Sequence, residues 1–211
     1  MIRDLAYLRN WFCSFVGRGC RDDRAAQLVE FAVTLPLLVV FVVGIFDFSN
    51  AFTLKQKLTN IARDAARTAA GDPANDLLSY STSAPVSVID AFQVIDNYLT
   101  ANKISDCGVT QASGILSPPL TWQFTVASTS SSPCGITLTI NRGYFFPLTG
   151  GTLPSASCSS QASTGQTIVI GTCVSIQYSY QWKFGRVASL LGTSATLPPQ
   201  ITAIAVALNE N

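Results

Sequence analysis

The sequence predicts an α+β protein: a long N-terminal helix, half of it suited to lipid, followed by a small, mostly antiparallel sheet held by disulfides. Three observations carry this. The run from Phe31 to Phe46 contains no charged residue. At 1.5 Å per residue it covers roughly 24 Å, or about 30 Å with its flanks, which is the thickness of bilayer hydrocarbon. Apolar residues then continue at three-four spacing as far as Gly71. Beyond Cys107 the composition turns to Gly, Ser, Thr and Pro broken by short alternating runs, as strands divided by turns require.

Composition narrows the function. A chain of 211 residues holds one anchor and one modest domain. With 48% hydrophobic and only 12% charged residues, disorder is excluded for most of it. A net charge of +1 and the lack of a long basic run argue against nucleic acid as a partner. There is no His, the commonest general base and the commonest metal ligand. Without it no Ser-His-acid set exists, and no phosphate-cradling glycine motif is present. After Cys107 the charged residues are Arg142, Lys183, Arg186 and Glu210 alone. A Ser-Lys arrangement on Lys183 has nothing to support it. The expectation is a protein with no catalytic residue, no cofactor and no metal.

Residues 1–25 form a basic leader, with Arg3, Arg9, Arg18, Arg21 and Arg24 against Asp4, Asp22 and Asp23. An Arg-rich flank keeps that end in the cytoplasm and sends the C-terminal part across the membrane. Leu5, Leu8, Phe12 and Phe15 recur at helical spacing. That suits a short amphipathic helix on the inner surface, or equally a leader whose exact sequence matters little.

The span covers about residues 28–50, with Glu30 at its start and Asp47 near its far end. A carboxylate in hydrocarbon costs roughly 2.5 to 3.5 kcal/mol, so each is a functional candidate by default. Pro36 leaves the carbonyl of Ala32 without its partner, and the hydroxyl of Thr34 is placed to compensate. Gly44 offers a point of close helix approach. Asp47 is expected at the outer interface, with pairing to a neighbouring subunit as the alternative. Ser49-Asn50-Ala51 loosely matches a signal-peptidase site, which would leave a chain starting at Phe52. The run is longer than an ordinary signal core, however, and Asp47 intrudes just before the cut.

Outside the span, Ala51, Leu54, Leu58, Ile61, Ala65 and Thr68 continue the helical stripe, which either lines a filament seam or packs on the chain's own domain. Gly71-Asp72-Pro73 supplies the stop, closing one helix over 26–71. A linker is expected over 72–85 and a second helix over Val86 to Ala101, with Val88, Phe92, Ile95 and Leu99 on one side. The domain of residues 86–211 then carries strands at Thr121 to Ala127, Gly135 to Asn141, Thr167 to Ile170, Cys173 to Trp182 and Ile201 to Leu208. A short helical turn is expected at Val187 to Leu191. Val174, Ile176, Tyr178 and Tyr180 alternate with Ser175, Gln177, Ser179 and Gln181, predicting one buried and one solvated face.

Cys13 and Cys20 precede the span, while Cys107, Cys134, Cys158 and Cys173 follow it. The latter four contain no Cys-x-x-Cys pair, so disulfides in an oxidising compartment are expected rather than zinc. Three pairings are possible. Cys107 with Cys134 and Cys158 with Cys173 is favoured, because neighbours in sequence close the smaller loops.

Read as a whole, RAAQLVEFAVTLPLLVVFVVGIFDF resembles the TadE/TadF-like minor pseudopilins of tight-adherence, type IVb-like pilus systems. The resemblance rests on a basic leader with Arg24, a small residue at Ala25, four residues to Val29, then Glu30 with Phe31. Leu35 with Pro36 and the segment Gly44 to Phe48 complete it. It covers residues 24 to 70, and beyond them only the pilin-like plan. It implies cleavage between Ala25 and Ala26 by a prepilin peptidase; Ala25 departs from the family's usual Gly. Glu30 would become the fifth residue of the mature chain and pair with the terminal ammonium of a neighbour, setting register during assembly. The implied partners are that peptidase, other pilins or pseudopilins, an inner-membrane assembly platform and membrane lipid. The implied place is the inner membrane, single-pass, with the C-terminal domain periplasmic or extracellular. An adhesive binding module carried on the same anchor is the alternative.

Overall fold

The computed structural model describes residues 23–79, 84–117, 120–129, 132–147, 155–159, 168–185 and 197–210. The leader helix, Cys13, Cys20 and the turn at Val187 to Leu191 lie outside the described residues. Helix α1 runs unbroken over Asp23–Gly71, 49 residues with Pro36 inside it. Helix α2 is Val86–Ala101. Five strands follow: β1 Ile115–Ser117, β2 Thr121–Val126, β3 Ile136–Pro147, β4 Ile168–Ser179 and β5 Gln200–Leu208. They form one antiparallel sheet in the order β1-β2-β3-β4-β5. The fold is therefore α+β.

The chain divides into two compact units. The first comprises α1 up to Asp47 and the segment beginning at Lys183; the second comprises the rest of α1, α2 and the sheet. In the second unit the outer half of α1 belongs to the domain core. Leu58, Ile61, Ala62, Ala65, Ala66 and Ala69 are completely buried. They share one hydrophobic cluster with Val88, Ile95 and Leu99 of α2 and with Trp122, Leu138, Ile140, Val174 and Ile176 of the sheet. The stripe thus packs on the chain's own domain, and its alanines let the helix backbone approach its neighbours closely. Thr68 and Leu54, expected on the stripe, are only partly buried, whereas Ala62, Ala66 and Ala69 widen it.

The segment expected as a plain linker contains a 3-10 turn over Ala74–Ser79. Within it the Asp76 carboxylate accepts a hydrogen bond from the Ser87 N–H at 2.9 Å. Pro85, at the N-cap of α2, has no side-chain acceptor to offer, so Asp76 satisfies one of the helix's orphan donors from eleven residues away.

Strand limits differ from expectation in three places. The runs expected at Thr167 to Ile170 and Cys173 to Trp182 fall on one strand, β4, which ends at Ser179 and not at Trp182, because Gly171 sits in the ladder where the β5 backbone comes close. A Cβ there would lie 2.6 Å from the Ala207 carbonyl oxygen. The short strand β1 was not anticipated. Strand β3 runs on past Asn141 through a bulge, since Asn141 pairs with Cys173 but Tyr144 pairs with Gly171.

The solvated face expected for β4 is not solvated at Ser175, which is fully buried. Residues 155–159 meet this face. Cys158 is bridged to Cys173, the Asn141 amide Nδ2 donates to the Cys158 carbonyl at 2.8 Å, and Gln177 Nε2 donates to the Ala156 carbonyl at 3.4 Å. The other bridge joins Cys107 to Cys134, tying the turn after α2 to the entry of β3. The Cα separations are 5.4 Å for Cys107–Cys134 and 5.7 Å for Cys158–Cys173, within the ordinary disulfide range.

In the bulge, Arg142 is buried and reaches the C-terminal end of α1. Its Nη2 donates to the Asp72 carbonyl at 3.0 Å and its Nη1 to Thr172 Oγ1 at 3.2 Å. Thr172 Oγ1 donates onward to Asn209 Oδ1 at 2.8 Å. A cation at a helix C-terminus is favoured by the helix dipole. Burial pulls the Arg142 pKa down, opposed by the nearby charges of Asp76 and Asp72. Burial, followed by Asp90, pushes the Asp72 carboxyl up, and Arg142 partly offsets this.

Candidate functional site

The first unit presents an apolar helix surface. Leu28, Phe31, Val33, Leu38, Phe41, Ile45 and Phe46 are each 60 to 70% exposed. The most apolar 18-residue window within Gln27–Gly71 has a mean hydropathy of 2.6 and is 6% buried. Side chains of this kind left uncovered over several turns need an apolar solvent or a partner. Among the described residues, one helix near the N-terminus is long and apolar enough to cross a membrane.

The expected site residues fall into two groups along this helix. Glu30 and Phe31 are exposed, and the Glu30 carboxylate has no hydrogen-bond or ion-pair partner among the described residues. Pro36 is accommodated without a break. The Thr34 hydroxyl turns to the Phe31 carbonyl, at 3.3 Å, and not to Ala32 as expected. The bond between Ala25 and Ala26 lies in the first turns of the helix.

Gly44 and Asp47 differ from the rest, for both are buried. Gly44 was expected to meet another helix. It meets Phe184 instead, whose ring carbons would lie 3.1 Å from a Cβ placed there. Asp47 was expected at an open interface or against a neighbouring subunit. It is only 3% exposed, and its Oδ2 accepts a hydrogen bond from the Phe184 N–H at 2.9 Å. The chain satisfies this carboxylate itself, with a backbone donor 137 residues away.

Sequence reasoning missed Phe184 and its neighbour Trp182, because Gln181-Trp182 reads locally as the end of a strand. The only signal was an aromatic pair flanking Lys183 before Gly185. Trp182 packs on Phe48 with ring centroids 5.1 Å apart and on Tyr180 at 4.9 Å, edge to face. Its indole N–H donates to the Pro198 carbonyl at 2.7 Å.

On the sheet, the four cysteines pair as favoured, 107 with 134 and 158 with 173. Among the described residues no group of three or more His, Cys, Asp or Glu side chains is placed to hold a metal ion. Among the described residues the one buried cation is Arg142, which serves the fold.

Residues 25–67 match the family model described as TadE-like protein. No curated protein and no solved structure gives a significant match. The matched segment covers the exposed apolar helix with Glu30, Pro36, Gly44 and Asp47, and it extends into the part of α1 buried in the domain core. Over that segment, and in keeping with the resemblance of its motif to tight-adherence pilus proteins, the chain is similar to the TadE-like family.

Proposed function

We propose that this chain is a non-catalytic minor pseudopilin that inserts in the inner membrane and supports assembly of a Tad-type pilus or related secretion filament, and hence surface adherence. The observation that carries the reading is where the family match falls. It lies on the helix that leaves its apolar face open, with the Glu30 carboxylate in that face meeting no partner among the described residues. An exposed carboxylate among apolar side chains is costly in lipid unless a cation meets it. The terminal ammonium of a neighbouring subunit, freed by a prepilin peptidase at Ala26, is the cation the motif implies. Other pilins and the assembly platform would supply the surfaces that cover the helix, and the C-terminal domain would lie on the far side of the membrane.

A second reading is favoured by one feature of the segment beside the sheet. Ser155, Ser157 and Ser159 are exposed and share hydroxyl contacts of 2.9 to 3.2 Å beside the Cys158 bridge. That polar knob suits an adhesive module contacting a hydroxyl-rich surface. A substitution series in a deletion strain separates the two. Glu30→Ala abolishes filaments on the assembly reading, while alanines at the three serines leave both filaments and attachment intact. Normal filaments with Glu30→Ala would overturn the assembly reading, and lost attachment with the serine variants would establish the adhesive one.

A further inference from the structure

Just beyond the candidate span, the second unit carries a shallow cavity of about 280 Å³, lined almost wholly by apolar groups. Phe48, Phe52 and Lys55 of α1 form one wall, and Trp182 and Ile201 the other. Phe52 is 66% exposed there although aromatic. Phe41, Ile45, Phe48, Phe52 and Lys55 recur at spacings of four, three, four and three residues, so one helical stripe runs out of the span and ends on a cation.

We infer that this cavity seats a phospholipid, taking the upper acyl chain against Phe48, Phe52 and Trp182 and the phosphate at Lys55. The inference rests on the reading of α1 as a membrane span. Three observations favour lipid over a protein side chain. First, the distance fits: from Glu30 to Phe48 is 18 residues and to Phe52 is 22, roughly 27 and 33 Å of helix, bracketing the hydrocarbon thickness of about 30 Å. With Glu30 at one boundary, the cavity falls at the other.

Second, the residue types are those of a lipid boundary, aromatic bodies on the apolar side and a long cationic side chain reaching the headgroups. The Trp182 N–H is already satisfied by the Pro198 carbonyl, so the ring presents no unpaired donor to an acyl chain. Third, Asp47 lies one residue before the wall, on the hydrocarbon side. The chain itself buries this carboxylate, which is 3% exposed, and supplies it with the Phe184 N–H. That bond has a reason if the boundary runs through the cavity.

The test uses the full-length Trp11→Phe chain in phosphatidylcholine–phosphatidylglycerol vesicles whose lipids are brominated either high on the acyl chain or at its end. Trp122 is 1% exposed, and its unquenched emission reports an intact core. The expected result is that high bromines quench the Trp182 emission roughly two-fold more than chain-end bromines, and that Trp182→Phe removes this quenchable component. A companion variant, Leu38→Trp with Trp11 and Trp182 both changed to Phe, tests the span itself and is expected to be quenched best by chain-end bromines. If that probe is quenched but Trp182 is not, the span stands and the lipid site falls, with the cavity covered by protein. If neither is quenched, both readings fall.

Discussion

Asp47 concentrates the argument at the scale of single residues. It lies within the segment that matches the TadE-like model, and its carboxylate closes a hydrogen bond within the chain. Removing it in Asp47→Ala leaves the Phe184 N–H without that acceptor, a local cost of about 1 to 2 kcal/mol. Hydrogen exchange should read this as roughly ten-fold faster exchange at Phe184, with the sheet amides unchanged. Protection at Phe184 equal to that of the parent chain would show that the bond is not maintained in the membrane-embedded protein. Arg142 is the second such residue. Truncation in Arg142→Ala removes the donor to the Asp72 carbonyl, leaves Thr172 with its bond to Asn209 alone, and takes from Asp72 and Asp76 their compensating cation. A loss of about 3 kcal/mol in the unfolding free energy is expected, measurable by denaturant titration.

Elements differ in how openly the sequence announces them. Both helices were legible because their evidence is local: a three-four apolar rhythm ended by Gly71-Asp72-Pro73, and a second rhythm from Val86 to Ala101. The sheet was legible only in outline. Gly171 and Thr172 look like a break between two strands, and only the approach of Ala207 from β5 explains a glycine in mid-strand. Ser175 carries the mark of a solvent face until residues 155–159 cover it. Three-residue β1 exists because β2 pairs with it.

Asp47 and Phe184 could not have been joined from the sequence, since nothing near either one points across 137 residues. The cysteine pairing was reached by loop length, which favours the separations of 27 and 15 residues found. Each bridge should contribute about 3 to 3.5 kcal/mol by constraining the unfolded chain. Cys158→Ser with Cys173→Ser should therefore lower the denaturation midpoint without abolishing the fold, whose main core lies on the other face of the sheet. An unchanged midpoint would mean that segment 155–159 is held by its hydrogen bonds alone.

At the scale of the whole molecule the chain separates two tasks. One half of α1 offers an open apolar face, and the other half is absorbed into a disulfide-linked α+β core. That core has a pH limit of its own. Burial raises the phenol pKa of Tyr178, with the charge of Asp106 adding to it, and burial raises that of Tyr144. A raised folded-state value means this stability is fully present below the ordinary value of 10.0 and is lost as pH climbs through the folded-state value. Unfolding followed by circular dichroism should thus begin above about pH 10, and Tyr178→Phe should move the transition to higher pH. A transition unmoved by that substitution would assign the alkaline limit to other groups.

The central claim is that the N-terminal helix belongs to a processed assembly subunit. Intact mass together with N-terminal sequencing of the membrane-extracted protein, from cells with a working prepilin peptidase, tests it most directly. The account predicts a mature chain beginning at Ala26, cut after Ala25 despite the absence of Gly there, with Glu30 as its fifth residue. A chain that keeps its first 25 residues, or one that starts at Phe52, would contradict it.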